Sequence, residues 1–251
     1  MSEGAAVSQG RWEVRQFEEL GSTNDYLCEE ARRGAPEGVV AVADHQSAGR
    51  GRLDRRWESP PGASLLASVL FRPTFDRSDL HLCTGVVALA AIDACEQVAG
   101  VRASLKWPND LLVGEAKLGG VLAETEFFGD ECAVVVGIGI NVAWPGPTGV
   151  GGTCLDRESG EAVDRDALLT ALLAALAPRR ALLDTPSGRR AVAAEMRALC
   201  STVGHRVHVE LSGGVFEGEA VEIDDAGHLV VQTEDGPRTV TAGDVVHVRR
   251  H

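Results

Sequence analysis

Between Val101 and Asn141 the chain places three apolar, strand-like segments in succession, Val101–Trp107, Leu118–Phe127 and Cys132–Asn141, with hairpin-like connections between them. Many strands and few helices in this order point to an α+β fold on a mixed β-sheet with packed helices. Upstream, Arg11–Glu18 alternates as a strand. Ser22 is placed to cap a helix running to about Arg33, with Asp25 as the acid three residues on. Val39–Ala43 is a short buried strand that leads through Asp44-His45-Gln46 into an arginine-rich loop, and Ser64–Phe71 returns as another strand. Asp79–Ala99 is a long apolar stretch with helical spacing closed by Gly100. Beyond the strands, Trp144–Gly152 reads as a loop, and Arg165–Leu183 and Ser187–Cys200 as helices. Met1–Gly10 reads as a frayed leader.

From Gly204 the character changes. Val207–Leu211, Val215–Ile223, His228–Gln232, Arg238–Val240 and Val245–Arg249 are short alternating strands between Gly-rich turns, which predicts a small SH3-like barrel. The expected division is a larger domain over 1–203 and a barrel domain over 204–251, a size at which 251 residues bury a substantial core.

The apolar fraction of 44% and charged fraction of 24% are those of an ordinary globular protein. No uninterrupted apolar run reaches the ~18–20 residues of a membrane span, and the N-terminus lacks the apolar core of a secretory signal. A cytoplasmic protein is expected. Six scattered cysteines without a Cys-x-x-Cys pair argue against a disulfide scaffold, and His205 and His208 lack the partners of a metal site.

A net charge of −13 disfavours DNA as the main partner. Against it, residues 49–57 hold Arg50, Arg52, Arg55 and Arg56 with one acid, Asp54. Gly49 and Gly51 are expected to supply positive φ there, and Arg50 and Arg52 to converge on phosphate oxygens. On charge alone the loop would be a solvated surface feature. Its surroundings reverse that reading. Of 24 basic residues only Lys106 and Lys117 are lysine, an arginine excess that a GC-rich coding sequence would explain. Both lysines nonetheless fall in motif-like stretches, Lys106-Trp107-Pro108-Asn109-Asp110 and Lys117-Leu118-Gly119-Gly120. A compact ammonium is not interchangeable with a guanidinium fork, and at Lys117 it suits charge building on a transferring phosphoryl group. The loop is not a P-loop. Gly137-Ile138-Gly139-Ile140-Asn141-Val142 lacks the third glycine of a dinucleotide fingerprint, so taken alone it reads as a tight strand end packed in the core.

Together these pieces resemble the biotin protein ligases. The resemblance rests on Ser22-Thr23-Asn24, Gln46 with Ala48–Arg52 and Trp57, Lys106–Asp110, Lys117–Gly120 and Gly137–Asn141, in that order over residues 22 to 141. It implies an enzyme that joins biotin to ATP as biotinyl-5′-AMP and then transfers biotin to a lysine of a biotin carboxyl carrier protein domain. Lys117 and Arg52 would be catalytic. Ser22, Thr23, Asn24, Gln46, Gly49, Arg50, Gly51, Arg52, Lys117 and Gly119 would face biotin. Arg50, Arg52, Arg55, Trp57, Lys106, Asn109, Asp110, Lys117 and Asn141 would face ATP. Mg²⁺ would accompany the triphosphate, near Asp110, without a metal site of its own.

Two departures stand out. Leu53-Asp54 occupies the place of a basic residue and glycine, which bears on loop closure. The chain also begins about 20 residues before Ser22, so no room is expected for the DNA-binding domain of bifunctional members. A lipoate ligase or octanoyl/lipoyl transferase is the rival enzyme, and a barrel adaptor with an idle N-terminal half the rival binding module. Monomer and homodimer stay open, with Cys132–Val136 at a dimer edge or inside the sheet.

Overall fold

A computed structural model of the chain describes residues 6–53, 55–211, 214–241 and 243–247. Thirteen strands form two sheets. The larger has the order β1-β2-β3-β4-β8-β7-β6-β5. It comprises β1 Ala6–Gln9, β2 Trp12–Leu20, β3 Val39–Gln46, β4 Ser64–Phe71, β5 Ser104–Lys106, β6 Asp110–Val113, β7 Ala116–Phe128 and β8 Glu131–Asn141. Only β2 and β3 run parallel, because α1 (Thr23–Arg32) provides the crossover between them; every other neighbouring pair is antiparallel. The sheet is therefore mixed, as the strand order predicts. Helix α2 (His81–Ala99) carries the chain from β4 to the far edge, and the meander β5–β8 returns to seat β8 beside β4.

Side chains alternate across each strand, so one strand serves two cores. On β4, Leu65, Ala67, Val69 and Phe71 join Val134, Val136, Ile138 and Ile140 of β8 against α2 and α4 (Arg165–Leu182). On the opposite face Leu70, Ala133 and Val135 pack under α1 with Leu27, Cys28 and Ala31. Helix α5 (Pro186–Leu199) completes the outer layer against α2 and α4; α3 (Leu155–Ser159) is a single short turn. Helix α2 ends at Gly100, whose φ of 65° is the left-handed cap that favours glycine. The segment Arg77–Ala99 is long and apolar enough, by length and composition, to cross a membrane; 67% of its most apolar window is buried inside this fold.

The smaller sheet has the order β12-β11-β10-β9-β13, all antiparallel, from β9 Arg206–Leu211, β10 Gly214–Ile223, β11 Leu229–Thr233, β12 Gly236–Val240 and β13 Asp244–His247. Its core is Val207, Val209, Ala220, Leu229, Val231, Val240 and Val245, into which Trp107 is inserted from the larger sheet's side.

Several expectations need correction. The segment read as a frayed leader contributes β1, paired with Trp12–Arg15 at the sheet edge. Val101–Trp107 is not one long strand: only Ser104–Lys106 pairs, and the turn after it opens a further strand, β6, that the proline and Asx signals concealed. Cys132–Val136, for which the sequence leaves edge and interior both open, pairs with β7 throughout and with β4 from Val134 onward.

Candidate functional site

The face of β8 that carries Ala133 and Val135 under α1 continues, beyond the N-terminus of that helix, as Gly137, Gly139 and Asn141. Here a cavity of about 390 Å³ opens on the sheet. Its walls come from the start of α1 (Ser22, Thr23, Asn24), the end of β3 (Gln46), the arginine loop, the turn at Asn109-Asp110, β7 (Lys117, Gly120, Val121, Leu122) and the loop 145–152. The two β8 glycines are not merely a tight strand end. A Cβ on Gly139 would stand 2.5 Å from the Trp57 ring, and one on Gly137 would overlap Asn24 Oδ1. Missing side chains on β8 are the sockets for two walls of the pocket.

At one end the lining is polar and neutral. Gln46 Oε1 accepts from the Thr23 backbone N–H (2.7 Å) and the Thr23 hydroxyl (3.1 Å), which leaves the Gln46 amide nitrogen as its donor end. Ser68 Oγ, on β4 beneath, lies 2.7 Å from both Thr23 Oγ1 and Asn24 Oδ1. These hydroxyl contacts must share two hydroxyl protons, so the cluster admits alternative proton arrangements. Asn24 Nδ2 donates to the Leu122 carbonyl (3.1 Å) and to Glu124 Oε2 (2.9 Å). Arg50 donates to the same Glu124 oxygen (2.5 Å) and to Asp25. The Cys28 thiol behind them is pushed up to about 11 by burial and by Glu124 and Glu126, which keeps it protonated.

The other end is charged. Lys117 Nζ pairs with Asp110 Oδ1 at 2.6 Å and lies 5.7 Å from the centre of the Trp57 ring. Its backbone ties the loop over the pocket, with Lys117 N–H on the Gly151 carbonyl and Thr153 N–H on the Lys117 carbonyl. Asn141, buried, donates to the Thr153 carbonyl at 3.0 Å and so fixes the same loop. Asn109 donates to the Val121 carbonyl at 2.8 Å. Trp57 Nε1 is a buried donor with no acceptor. Arg50, Arg52, Arg55, Arg56 and Lys117 against Glu58 and Asp110 make the lining basic within an acidic protein, a field that gathers anions.

The structure thus brings Ser22, Thr23, Asn24, Gln46, Arg50, Gly51, Arg52, Arg55, Trp57, Asn109, Asp110, Lys117 and Asn141 around one cavity. It does not bring all the expected residues there. Gly49 packs where a Cβ would collide with the Trp57 carbonyl, and Gly119 makes the close approach to the Gly139 carbonyl within the sheet. Lys106 lines a second cavity of about 300 Å³ between α2, α5 and the smaller sheet, and Trp107 donates to the Gly227 carbonyl (3.0 Å) in that sheet's core. Neither Gly49 nor Gly51 has positive φ; the left-handed residue is Leu53, at φ 52° and exposed. Asp54 lies outside the described residues. Arg50 and Arg52 diverge rather than converge, Arg52 reaching the Gly243 carbonyl, just before the last strand of the smaller sheet, at 3.0 Å. Sequence reasoning missed Ser68 and Glu124. Ser68 was detectable as a polar interruption of an apolar strand, whereas nothing local distinguishes Glu124 from Glu126.

A sheet-floored pocket with a neutral polar end, a basic end and an arginine loop between them defines the biotin/lipoate ligase class. Residues 17–141 match the Biotin/lipoate A/B protein ligase family and residues 202–248 the Biotin protein ligase C terminal domain. The chain is 37% identical over 238 residues to the biotin--[acetyl-CoA-carboxylase] ligase of Mycobacterium tuberculosis, covering 92% of this chain and 87% of that protein. It is 32% identical to the bifunctional ligase/repressor BirA of Bacillus subtilis, covering 90% of this chain and 71% of that one. The biotin protein ligase of Aquifex aeolicus, solved with biotin and ATP, superposes with a TM-score of 0.77 at 28% identity, over 94% of this chain and 99% of that chain. The chain belongs to the biotin protein ligases.

Proposed function

We propose that this protein activates biotin with ATP as biotinyl-5′-AMP and transfers it to a lysine of a biotin carboxyl carrier protein domain. The observation that carries the reading is the placement of Lys117, held by Asp110 and facing Trp57, at the basic end of a pocket whose other end is the neutral Thr23–Gln46 cluster. The neutral end suits a ureido group, which both donates and accepts hydrogen bonds. The basic end suits a carboxylate meeting an α-phosphate. Lys117 would counter the negative charge that grows as the carboxylate attacks phosphorus and pyrophosphate departs. Arg55 and, on leaving the Gly243 carbonyl, Arg52 would face the phosphates, and Asn109 and Asn141 would hold the walls of the nucleotide side. In the second half-reaction the carrier's lysine amine attacks the acyl carbon and AMP leaves.

Among the described residues no group of three or more His, Cys, Asp or Glu gathers as a metal site. Asp110 is the acid paired with Lys117, so Mg²⁺ fits as a companion held mainly by the triphosphate, with that carboxylate beside it. We divide the chain at 203/204, supported by Ser201 bonding back to Leu105 and Gly204 bonding onward to Ala220. We assign it to the cytoplasm, a reading supported by six scattered cysteines that are placed without disulfide partners.

Exchange of labelled pyrophosphate into ATP tests the reading: it should require biotin and fail with lipoate. Exchange with lipoate alone, or with neither acid, would overturn it. Lys117→Ala should slow single-turnover adenylate formation by about 10²–10³-fold without changing the fold.

A further inference from the structure

Glu124 stands outside the cavity lining yet touches both the start of α1 and the arginine loop. One carboxylate oxygen, Oε2, accepts from Asn24 Nδ2 at 2.9 Å and from Arg50 Nη2 at 2.5 Å. Asn24 is buried at the start of α1, seated over Gly137, and its Oδ1 meets Ser68. Arg50 belongs to the loop and is the first arginine after Gly49, 41% exposed at its side chain. Asp25 engages the same Nη2, so both acids converge on one edge of the guanidinium. A guanidinium has five N–H donors in a rigid fork, and fixing one edge presents the others in a set direction. Without these acids a long arginine on an exposed loop would have to be ordered by the ligand itself, at the ligand's cost in affinity.

We propose that Glu124 is a positioning residue: through one carboxylate oxygen it couples Asn24 at the pocket floor to Arg50 on the loop, and so sets where Arg50 meets the bound acid. The inference rests on the pocket being the acid-activating site. Asn24 fixes the height of Glu124 above the sheet, and Glu124 fixes the arginine. Glu124→Gln keeps the size of the side chain and an acceptor for Asn24 but removes one of the two charges that hold Arg50, the one that ties it to Asn24.

The test is a cycle of Glu124→Gln, Arg50→Ala and the double variant, with biotin-dependent adenylation as the readout. Glu124→Gln should raise KM for biotin about tenfold with kcat changed less than about twofold, the signature of lost binding rather than lost chemistry. Added to Arg50→Ala, it should change KM by less than about twofold, because its partner is already gone. An unchanged KM in the single variant, or independent effects that multiply in the double, would overturn the proposal. A parallel measurement needs no substrate: trypsin should cut the ligand-free loop 49–57 faster in Glu124→Gln than in the parent, at equal thermal stability. Equal cutting rates would also count against it. If the parent shows no biotin-dependent exchange, the functional reading fails, while the trypsin comparison still decides the Glu124–Arg50 coupling.

Discussion

Gly139 lacks a side chain at the place where the indole of Trp57 rests, and that vacancy shapes the charged end of the pocket. A methyl group there would stand 2.5 Å from the ring, well inside contact distance, and the indole would have to tilt or lift. Because Trp57 also faces Lys117, the displacement reaches the basic end of the pocket. Gly139→Ala should therefore lower kcat/KM for ATP by about 10–100-fold, on the scale by which small misplacements degrade positioning. Intrinsic tryptophan fluorescence on adding ATP and biotin checks the cause: a parent-like response with parent-like kinetics would refute it. At this scale the sequence displayed which residue types gather, through two solitary lysines and an arginine loop, but not which touch. Lys106 and Lys117 look alike in the chain. They part because β5 ends at Lys106 beside α5, whereas Lys117 lies near the start of the long strand β7, paired with Leu112 of β6.

Elements explain why the pocket lies where it does. On β8 one face feeds the α2–α4 core from Val134 to Ile140, while the other changes from Ala133 and Val135 to Gly137, Gly139 and Asn141 beyond the N-terminus of α1. The sheet is continuous under both, so the floor of the pocket is the same paired strand that carries the core behind it. Core substitutions on α2 should accordingly affect stability first. Leu89, fully buried, when replaced by Ala should cost about 2–5 kcal/mol, read as a lower urea midpoint. Asp164 caps α4 by accepting from Asp166 N–H (2.8 Å) and Ala167 N–H (3.1 Å), and its replacement by Ala should cost about 1 kcal/mol in the same measurement. A loss at Asp164 as large as that at Leu89 would contradict this account of the cap. Periodicity and caps made α1, α2, α4 and α5 legible in the chain. The hairpin β5–β6 was not, because its strands are only 3 and 4 residues long and its turn residues read equally well as a loop.

Over the whole molecule, the two sheets meet through the segment that also shapes the pocket. Trp107 lies in the smaller sheet's core, and Arg52 of the loop reaches the Gly243 carbonyl. His81, at the start of α2, packs against Gly227 of the same sheet. Burial lowers its affinity for protons, against opposing pulls from the Ser78 carbonyl, Asp79 and Asp224; His228 acts in the lowering direction. A base whose folded pKa is depressed contributes stability that is present above the unfolded value, near 6.5, and is lost as pH falls toward the lower folded value. Melting temperature should therefore drop as pH is lowered through about 6.5, and the drop should shrink in His81→Gln. Parallel curves for parent and variant would exclude His81 as the source.

The sequence alone determined the secondary elements with strong period or caps, the mixed α+β class, the change of architecture after residue 204 and the kind of chemistry, because periodicity, capping and residue type are local properties. Tertiary structure decided the contacts. It sent Arg50 to Asp25 and Glu124 and Arg52 to Gly243, turned the glycines of β8 into sockets, and separated Lys106 from the cavity that Lys117 lines. Each of these depends on side chains far apart in the chain meeting across strands, and meetings of that kind are set by sheet order and register, which no local pattern encodes.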